Sequence, residues 1–320
     1  VAAYDVFNGD ADGLCALHQL RLHEPRAATL VTGAKREVAL LARVPAQLGD
    51  LLTVLDISLH ENRADLQRCL QAGASCIWFD HHFPGSIPQH PAFEAHIRYA
   101  PDTCTSLLVD AHLGGRWRGW AVAAAFGDNL PGPAAAAAAT LGLTQAQADT
   151  LGDLGRLLNY NAYGETVDDL HFHPAELFRI LSRYTDPLEF ARLDPAFARL
   201  AAGWQEDMAQ AARTAPRLDL ATHILLVLPD APWARRVSGP WANELALRAP
   251  ERAVAVLVPG GRGFNVSIRA PTARPHGADV LARSFPAGGG RPNAAGINAL
   301  PEAELDRFTA AFARSFLGPP

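Results

Sequence analysis

The stretch Ala2-Ala3-Tyr4-Asp5-Val6-Phe7-Asn8-Gly9-Asp10-Ala11-Asp12-Gly13 and the residues 14–23 that follow it decide the fold. Residues 2–7 read as a short strand ending in Phe7, Asn8 to Gly13 as a turn of small and acidic residues, and residues 14–23 show helical spacing. The same order recurs downstream. Residues 29–32 read as a strand, and the apolar run 51–55 (LLTVL) ends at Asp56. Residues 61–72 have helical spacing and stop at Gly73, and the apolar run 76–79 ends at Asp80. Strands alternating with helices predict a parallel sheet in an α/β domain. Ligands of such sheets gather beyond the carboxyl ends of the strands. Asp10, Asp56 and Asp80 each stand just past a predicted strand end, a placement that chance seldom gives.

Working outward, residues 103–125 and 133–158 read as helices interrupted by Pro131-Gly132-Pro133, and residues 175–184 and 187–213 as further helices. A new alternation begins near Leu218: strand 223–228, helix 240–248, strand 253–258, the alternating strand 264–269 (FNVSIR) and helix 278–284. After a glycine-rich segment, 288–296, a helix over 302–316 closes the chain. The expected organisation is a domain at 1–189, a helical linker at 190–217 and a smaller α/β domain at 218–320. The expected fold class is α/β, a mainly parallel-sheet domain followed by the smaller one, with a cleft between them.

Composition bounds the function. The 320 residues are 49% hydrophobic and 19% charged, enough to bury two cores and too apolar for a disordered chain. The net charge of −5 excludes the global basic footprint of a protein that coats long nucleic acid. That charge is unevenly divided: residues 1–215 balance at −9 and residues 216–320 at +4. Lys35 is the only lysine and Met208 the only methionine; with abundant Ala and Arg, this reads as codon bias. Cys15, Cys69, Cys76 and Cys104 are widely spaced without a C-x-x-C, which favours a reducing compartment. No apolar run of about 18 residues predicts a membrane span. Asp5, Asp10 and Asp12 fall where a signal core would lie, so the expected location is cytoplasmic.

Four clusters carry candidate chemistry. In Asn8-Gly9-Asp10-Ala11-Asp12-Gly13, two carboxylates two residues apart in a glycine-bearing turn can face one point, as a hard divalent cation requires; an Asp capping the next helix is the plainer alternative. Asp56 alone reads as readily as a cap or turn former. Asp80-His81-His82 is harder to explain structurally, because adjacent side chains diverge: one imidazole can bind metal while the other faces substrate, with the acid orienting a ring. Gly127-Asp128-Asn129 is weak alone. His171-x-His173 reads as an exposed loop pair, and Gly260-Gly261-Arg262-Gly263 is not a phosphate loop of the Walker type, since no Gly-Lys-Ser/Thr follows.

Taken in order, N-x-D-x-D-G, a strand-end Asp, D-H-H and G-D-N resemble the motifs of the DHH phosphoesterase superfamily. Gly288-Gly289-Gly290-Arg291-Pro292-Asn293-Ala294-Ala295-Gly296 resembles the G-G-G-H-x-x-A-A-G signature of the DHH-associated substrate domain. The likeness spans residues 8–296 and is nearest to enzymes that act on short RNA, on 3′-phosphoadenosine 5′-phosphate or on cyclic dinucleotides. It implies two divalent cations, Mn²⁺ first with Mg²⁺ or Co²⁺ as alternatives, that activate water. Two such cations about 3.5–4 Å apart stabilise both the attacking and the leaving oxygen. By resemblance, Asp10 with Asn8 serves the first cation, Asp12, His81 and Asp128 the second, and Asp56 bridges both. His82 then contacts the scissile phosphate or donates a proton to the leaving group, with Asp80 behind it. Arg269, Gly288, Gly289, Gly290, Arg291 and Asn293 hold substrate, and Asn243 and Glu244 are guesses for a base.

Two departures matter. Asn8 stands where the family has His or Asp, and Arg291 where it has His; Arg does not titrate near neutral pH but clamps phosphate in two-pronged fashion. The expected function is a phosphodiesterase for cyclic or linear dinucleotides and short oligonucleotides. The alternatives are a 3′-phosphoadenosine 5′-phosphate phosphatase and a nucleotide-binding regulator weakened in catalysis at Asn8. The expected partner is a small nucleotide, with no long duplex nucleic acid and no membrane; a homodimer is left open.

Overall fold

The structure, a computed structural model, describes residues 1–316. The chain divides into two compact units, residues 1–203 and residues 204 onward.

The first unit is built on five parallel strands, β1 (Ala3–Phe7), β2 (Thr29–Val31), β3 (Leu51–Leu55), β4 (Ser75–Asp80) and β5 (Phe93–Ile97), in the order β2-β1-β3-β4-β5. Side chains alternate between sheet faces, so the register sorts the core. Val6, Val54 and Trp78 lie in one row and pack with Leu66, Cys69 and Leu70 of a helix at Arg63–Gln71. Phe7, Leu55 and Phe79 form the next row, on the opposite face, and are fully buried. Burial on both faces is why these strands read as apolar runs. β5 escapes the sequence reading because it is an edge strand, Phe-Glu-Ala-His-Ile, half-buried and mixed in polarity.

The helices of this unit are α1 (Ala11–His23), α2 (Arg63–Gln71), α3 (Thr105–His112), α4 (Arg118–Gly127), α5 (Pro131–Ala139), α6 (Gln145–Ala162), α7 (Pro174–Leu181) and α8 (Pro187–Leu193). α1 packs against α3 and α4, and α4 against α6. The single helix expected over 103–125 is two, parted by a turn at Gly114-Gly115. Pro131 separates α4 from α5 as expected, but from inside the first turn of α5, where a missing N–H costs nothing. The helix expected over 187–213 breaks at Asp194, whose carboxylate accepts from Ala196 N (2.8 Å), and Pro195 opens α9 (Pro195–Arg213).

The second unit carries a mixed sheet of β6 (Leu218–Asp219), β7 (His223–Val227), β8 (Ala253–Gly260), β9 (Gly263–Arg269), β10 (Gly288–Gly290) and β11 (Ala294–Leu300), in the order β10-β11-β9-β8-β7-β6. Only the β7–β8 pair is parallel. α11 (Ala278–Arg283) and α12 (Leu305–Arg314) cover it, with Phe285, Phe308 and Phe312 packed on Leu257, Ile268 and Ile297. α10 (Pro232–Arg248) begins eight residues before the expected start at 240, with Pro240 accommodated inside it. The glycine-rich segment forms the β10–β11 hairpin. A Cβ on Gly288 would lie 1.8 Å from the Ala282 carbonyl oxygen, so only glycine lets this edge strand close on α11.

All four cysteines are buried and unpaired, and burial pushes their thiols above the ordinary range. Among the described residues no helix is long and apolar enough to cross a membrane.

Candidate active site

The turn after β1 is ordered by its own side chains. Asp10 caps α1: its Oδ1 accepts from Asp12 N (3.0 Å) and Gly13 N (3.1 Å). Asn8 Oδ1 accepts from Asp10 N (3.2 Å), and Asn8 Nδ2 lies 3.4 Å from the Lys35 carbonyl. A Cβ on Gly9 would stand 2.2 Å from the Gly33 carbonyl oxygen, so glycine here lets the segment after β2 close over the turn. That approach delivers Lys35, whose ammonium donates to Asp10 Oδ2 (2.5 Å) and to Asn159 Oδ1 on α6 (3.1 Å).

Asp12, on the first turn of α1, accepts from the backbone N–H of Thr105 and of Ser106, both at 2.7 Å, and so anchors the start of α3. Asp56 follows β3 with φ of 57°, a left-handed conformation that costs a non-glycine residue on the order of 1–2 kcal/mol. Its N–H donates to Phe79 O (3.0 Å), and its Oδ1 accepts from Thr105 Oγ1 (3.1 Å). Such strain persists only where the surroundings over-determine it, and it clusters at functional sites.

Asp80, His81 and His82 leave the end of β4. His81 Nε2 faces three carboxylates from three other elements: Asp56 Oδ1 at 3.4 Å, Asp128 Oδ2 at 3.7 Å and Asp12 Oδ2 at 3.9 Å. His82 bonds through Nδ1 to Asp80 Oδ1 (2.7 Å) and is half-exposed, while Asp80 is fully buried with Oδ2 unpartnered. Asp128 sits at the carboxyl end of α4.

The electrostatics follow from this crowding. Burial raises Asp56, and the charges of Asp10, Asp12, Asp128 and Asp80 push it further up. Asp128 rises to about 6 through burial and the charges of Asp12 and Asp10, opposed by Lys35 and His81. Asp10 goes the other way: burial would raise it, but the Lys35 ammonium and the capping hydrogen bonds bring it to about 2. Burial works against the charge of Lys35, yet Asp10 holds its pKa well above the ordinary lysine value. Burial likewise lowers His82, and the Asp80 hydrogen bond and charge outweigh it, so its pKa rises.

The residues fit a divalent cation. Two triads bring their donor atoms within 4.8 Å of one another, Asp12 with His81 and Asp128, and Asp56 with His81 and His82. Carboxylate oxygens with one or two imidazole nitrogens suit Mn²⁺ or Mg²⁺ and relieve the repulsion that drives Asp56 and Asp128 toward protonation. Asp10 and Asn8 stand outside both triads. The sequence reading misses Lys35, Asn159, Thr105 and Ser106. Only Lys35 carries a signal, as the single lysine of the chain.

The second unit gathers a different set. Ala294 pairs with Arg269 in register, and Gly290 with Ala295, so Arg269 and the hairpin bearing Gly288, Gly289, Gly290, Arg291 and Asn293 lie on neighbouring strands of the sheet. Arg291 and Asn293 are exposed, and a Cβ on Gly289 would meet nothing within 4 Å, so that face is open. Arg269 Nε donates to Asn243 Oδ1 (2.6 Å), while Glu244 pairs with Arg248. His171 shares a hydrogen bond with the Tyr160 hydroxyl (2.7 Å), and His173 caps α7.

This two-unit architecture, with four acid-bearing strand and helix ends in motif order, has the DHH phosphoesterase fold. A manganese-bound RecJ exonuclease structure is similar over 99% of this chain and 91% of its own, at 21% identity and a TM-score of 0.58. RecJ from Thermus thermophilus, in complex with Mn²⁺, matches at 20% identity and a TM-score of 0.61, with this chain spanning 52% of its length. The pGpG-specific phosphodiesterase PggH from Vibrio cholerae matches at 14% identity and a TM-score of 0.56, over 98% of this chain and 99% of that one. No protein-family model and no curated protein sequence matches the chain.

Proposed function

We propose that the protein is a divalent-metal-dependent phosphoester hydrolase acting on a small nucleotide, a linear or cyclic dinucleotide or a short oligonucleotide. One observation carries this reading: His81 Nε2 faces the carboxylates of Asp12, Asp56 and Asp128 at 3.4–3.9 Å, with the His82–Asp80 pair alongside. The fold shared with PggH and the RecJ structures supports it.

Asp12, Asp56, His81 and Asp128 would hold the metal. A divalent cation bound there would lower the pKa of a water nucleophile and offset charge on the phosphoryl oxygens. His82, fixed by Asp80 at Nδ1, keeps its proton to higher pH than a free imidazole and presents it to the leaving oxygen. Arg269, the exposed Arg291 and the open face of the glycine hairpin hold the substrate's further phosphate; a guanidinium suits such an anion.

The test is a Mn²⁺-supplemented assay of cyclic dinucleotides, linear dinucleotides, short RNA and 3′-phosphoadenosine 5′-phosphate, with products resolved chromatographically. Hydrolysis of the dinucleotides at the highest kcat/KM is expected. Preferential release of phosphate from 3′-phosphoadenosine 5′-phosphate would replace the diesterase reading with the phosphatase one, and tight binding without turnover would make the protein a regulator.

A further inference from the structure

The Asp10 carboxylate, assigned by resemblance to a first divalent cation, already carries a cation. Its Oδ1 is taken by the N–H groups of Asp12 and Gly13, and its Oδ2 by the Lys35 ammonium at 2.5 Å. Asp12 is hydrogen-bonded through both oxygens too, but to two neutral backbone N–H groups that leave its charge uncompensated. Asn8, the other residue assigned to that cation, is a neutral amide whose oxygen accepts from Asp10 N. Lys35 is itself anchored on α6 at both ends: its N–H donates to Ala162 O (3.0 Å), its Nζ to Asn159 Oδ1 (3.1 Å), and the Nζ lies 5.6 Å from the centroid of the Tyr163 ring. Every other fixed cation of the chain is an arginine, whose planar fork does not reproduce the compact point charge that an ammonium supplies. The carboxylates of Asp12, Asp56 and Asp128 face His81 Nε2 instead, at 3.4–3.9 Å.

We infer that the Lys35 ammonium is a built-in cation that takes the place of one of the two metals, so that the centre binds a single divalent cation through Asp12, Asp56, His81 and Asp128. The inference rests on the metal-dependent reading above and sharpens it. Three consequences are fixed by the chemistry. Lys35 offsets the charge of Asp10 permanently, where a second metal would come and go with supply. Its ammonium has three N–H donors, two of them used on Asp10 and Asn159, which leaves the third for a phosphate oxygen. Asn8 then needs no charge, because a His or Asp there would have no metal to bind.

Equilibrium dialysis of the full chain against Mn²⁺, with elemental analysis, is expected to give one Mn²⁺ per chain, and its EPR spectrum the signature of an isolated ion. Two equivalents with a spin-coupled spectrum overturn the inference and leave the hydrolase reading standing. No bound Mn²⁺ overturns both. The double variant Asn8→His with Lys35→Ala is expected to take up a second Mn²⁺, and Lys35→Arg to stay at one or lose affinity for the nucleotide. A double variant that folds and still holds one Mn²⁺ shows that Lys35 is not what excludes the second. Should that variant fail to fold, the count and spectrum of the unaltered protein decide the matter. Turnover of the nucleotide panel on the same sample reports on the hydrolase reading independently.

Discussion

Asp56 and His81 carry the most at the scale of single residues. His81 is common to both donor triads, and Asp56 is held in a left-handed backbone conformation. Replacing a metal ligand costs more than the 10–100-fold typical of outer-shell partners. Asp56→Ala and His81→Ala are therefore expected to lower kcat by more than about 100-fold while thermal melts stay near that of the parent protein, because each change also removes a source of crowding. Near-normal turnover in either folded variant would sink the ligand assignment. These two residues, with Asp80, His82 and Asp128, are legible in the sequence as an ordered set of motifs; Asp56 and Asp128 are weak signals alone, and the resemblance of the whole set singles them out. Lys35 is not legible in that way. A lone lysine in an arginine-rich chain carries no local pattern, and its partners Asp10 and Asn159 lie 25 and 124 residues away.

At the scale of elements, α1 shows how one helix serves two ends. Its first turn is part of the site, and its middle buries His18 against Trp120, edge-on at 4.5 Å between ring centroids, with Nε2 on Tyr184 O (2.8 Å). Burial lowers the His18 pKa to about 4, only partly offset by that carbonyl. The unfolded chain, with His near 6.5, takes up the proton first as pH falls. Stability supported by neutral His18 is thus complete above about pH 7 and is lost progressively toward pH 4, by up to about 3 kcal/mol. Urea unfolding at pH 7 and pH 5 should show a steeper loss for the parent protein than for His18→Gln; equal losses would contradict it. The comparison isolates His18 because the site carboxylates titrate in both proteins. Helix ends are the least legible elements: α1 begins at Ala11, three residues before the apolar pattern does, because Asp10 caps it. The β10–β11 hairpin carries no strand signal in the sequence because glycines give no alternation, although the small size of Gly288 is what lets the strand close on α11.

Over the whole molecule, the charge of −5 is the sum of opposed parts, an acidic first portion and an arginine-bearing second one. The carboxylates of the site belong to the first unit, and Arg269 and Arg291 to the second. Ion-assisted hydrogen bonds contribute about 1.5–3 kcal/mol. Arg291→Ala is accordingly expected to raise KM for a dinucleotide roughly 10-fold or more while the Mn²⁺ content stays at the parent level. Loss of bound Mn²⁺ in that variant would contradict the division of labour between the units.

The sequence by itself determined the alternation of strands and helices, the acids at their ends and the order of the motifs. Each of these is written within a few residues, in side-chain period and turn chemistry. The tertiary structure alone decided what those acids do. Asp12 ties down α3, 93 and 94 residues away, and Asp10 meets Lys35 only because β2 lies beside β1 and Gly9 admits the segment that follows it. Strand order and close backbone approach are properties of the packed chain. They determine which of the carboxylates face His81 and which one is paired with a lysine.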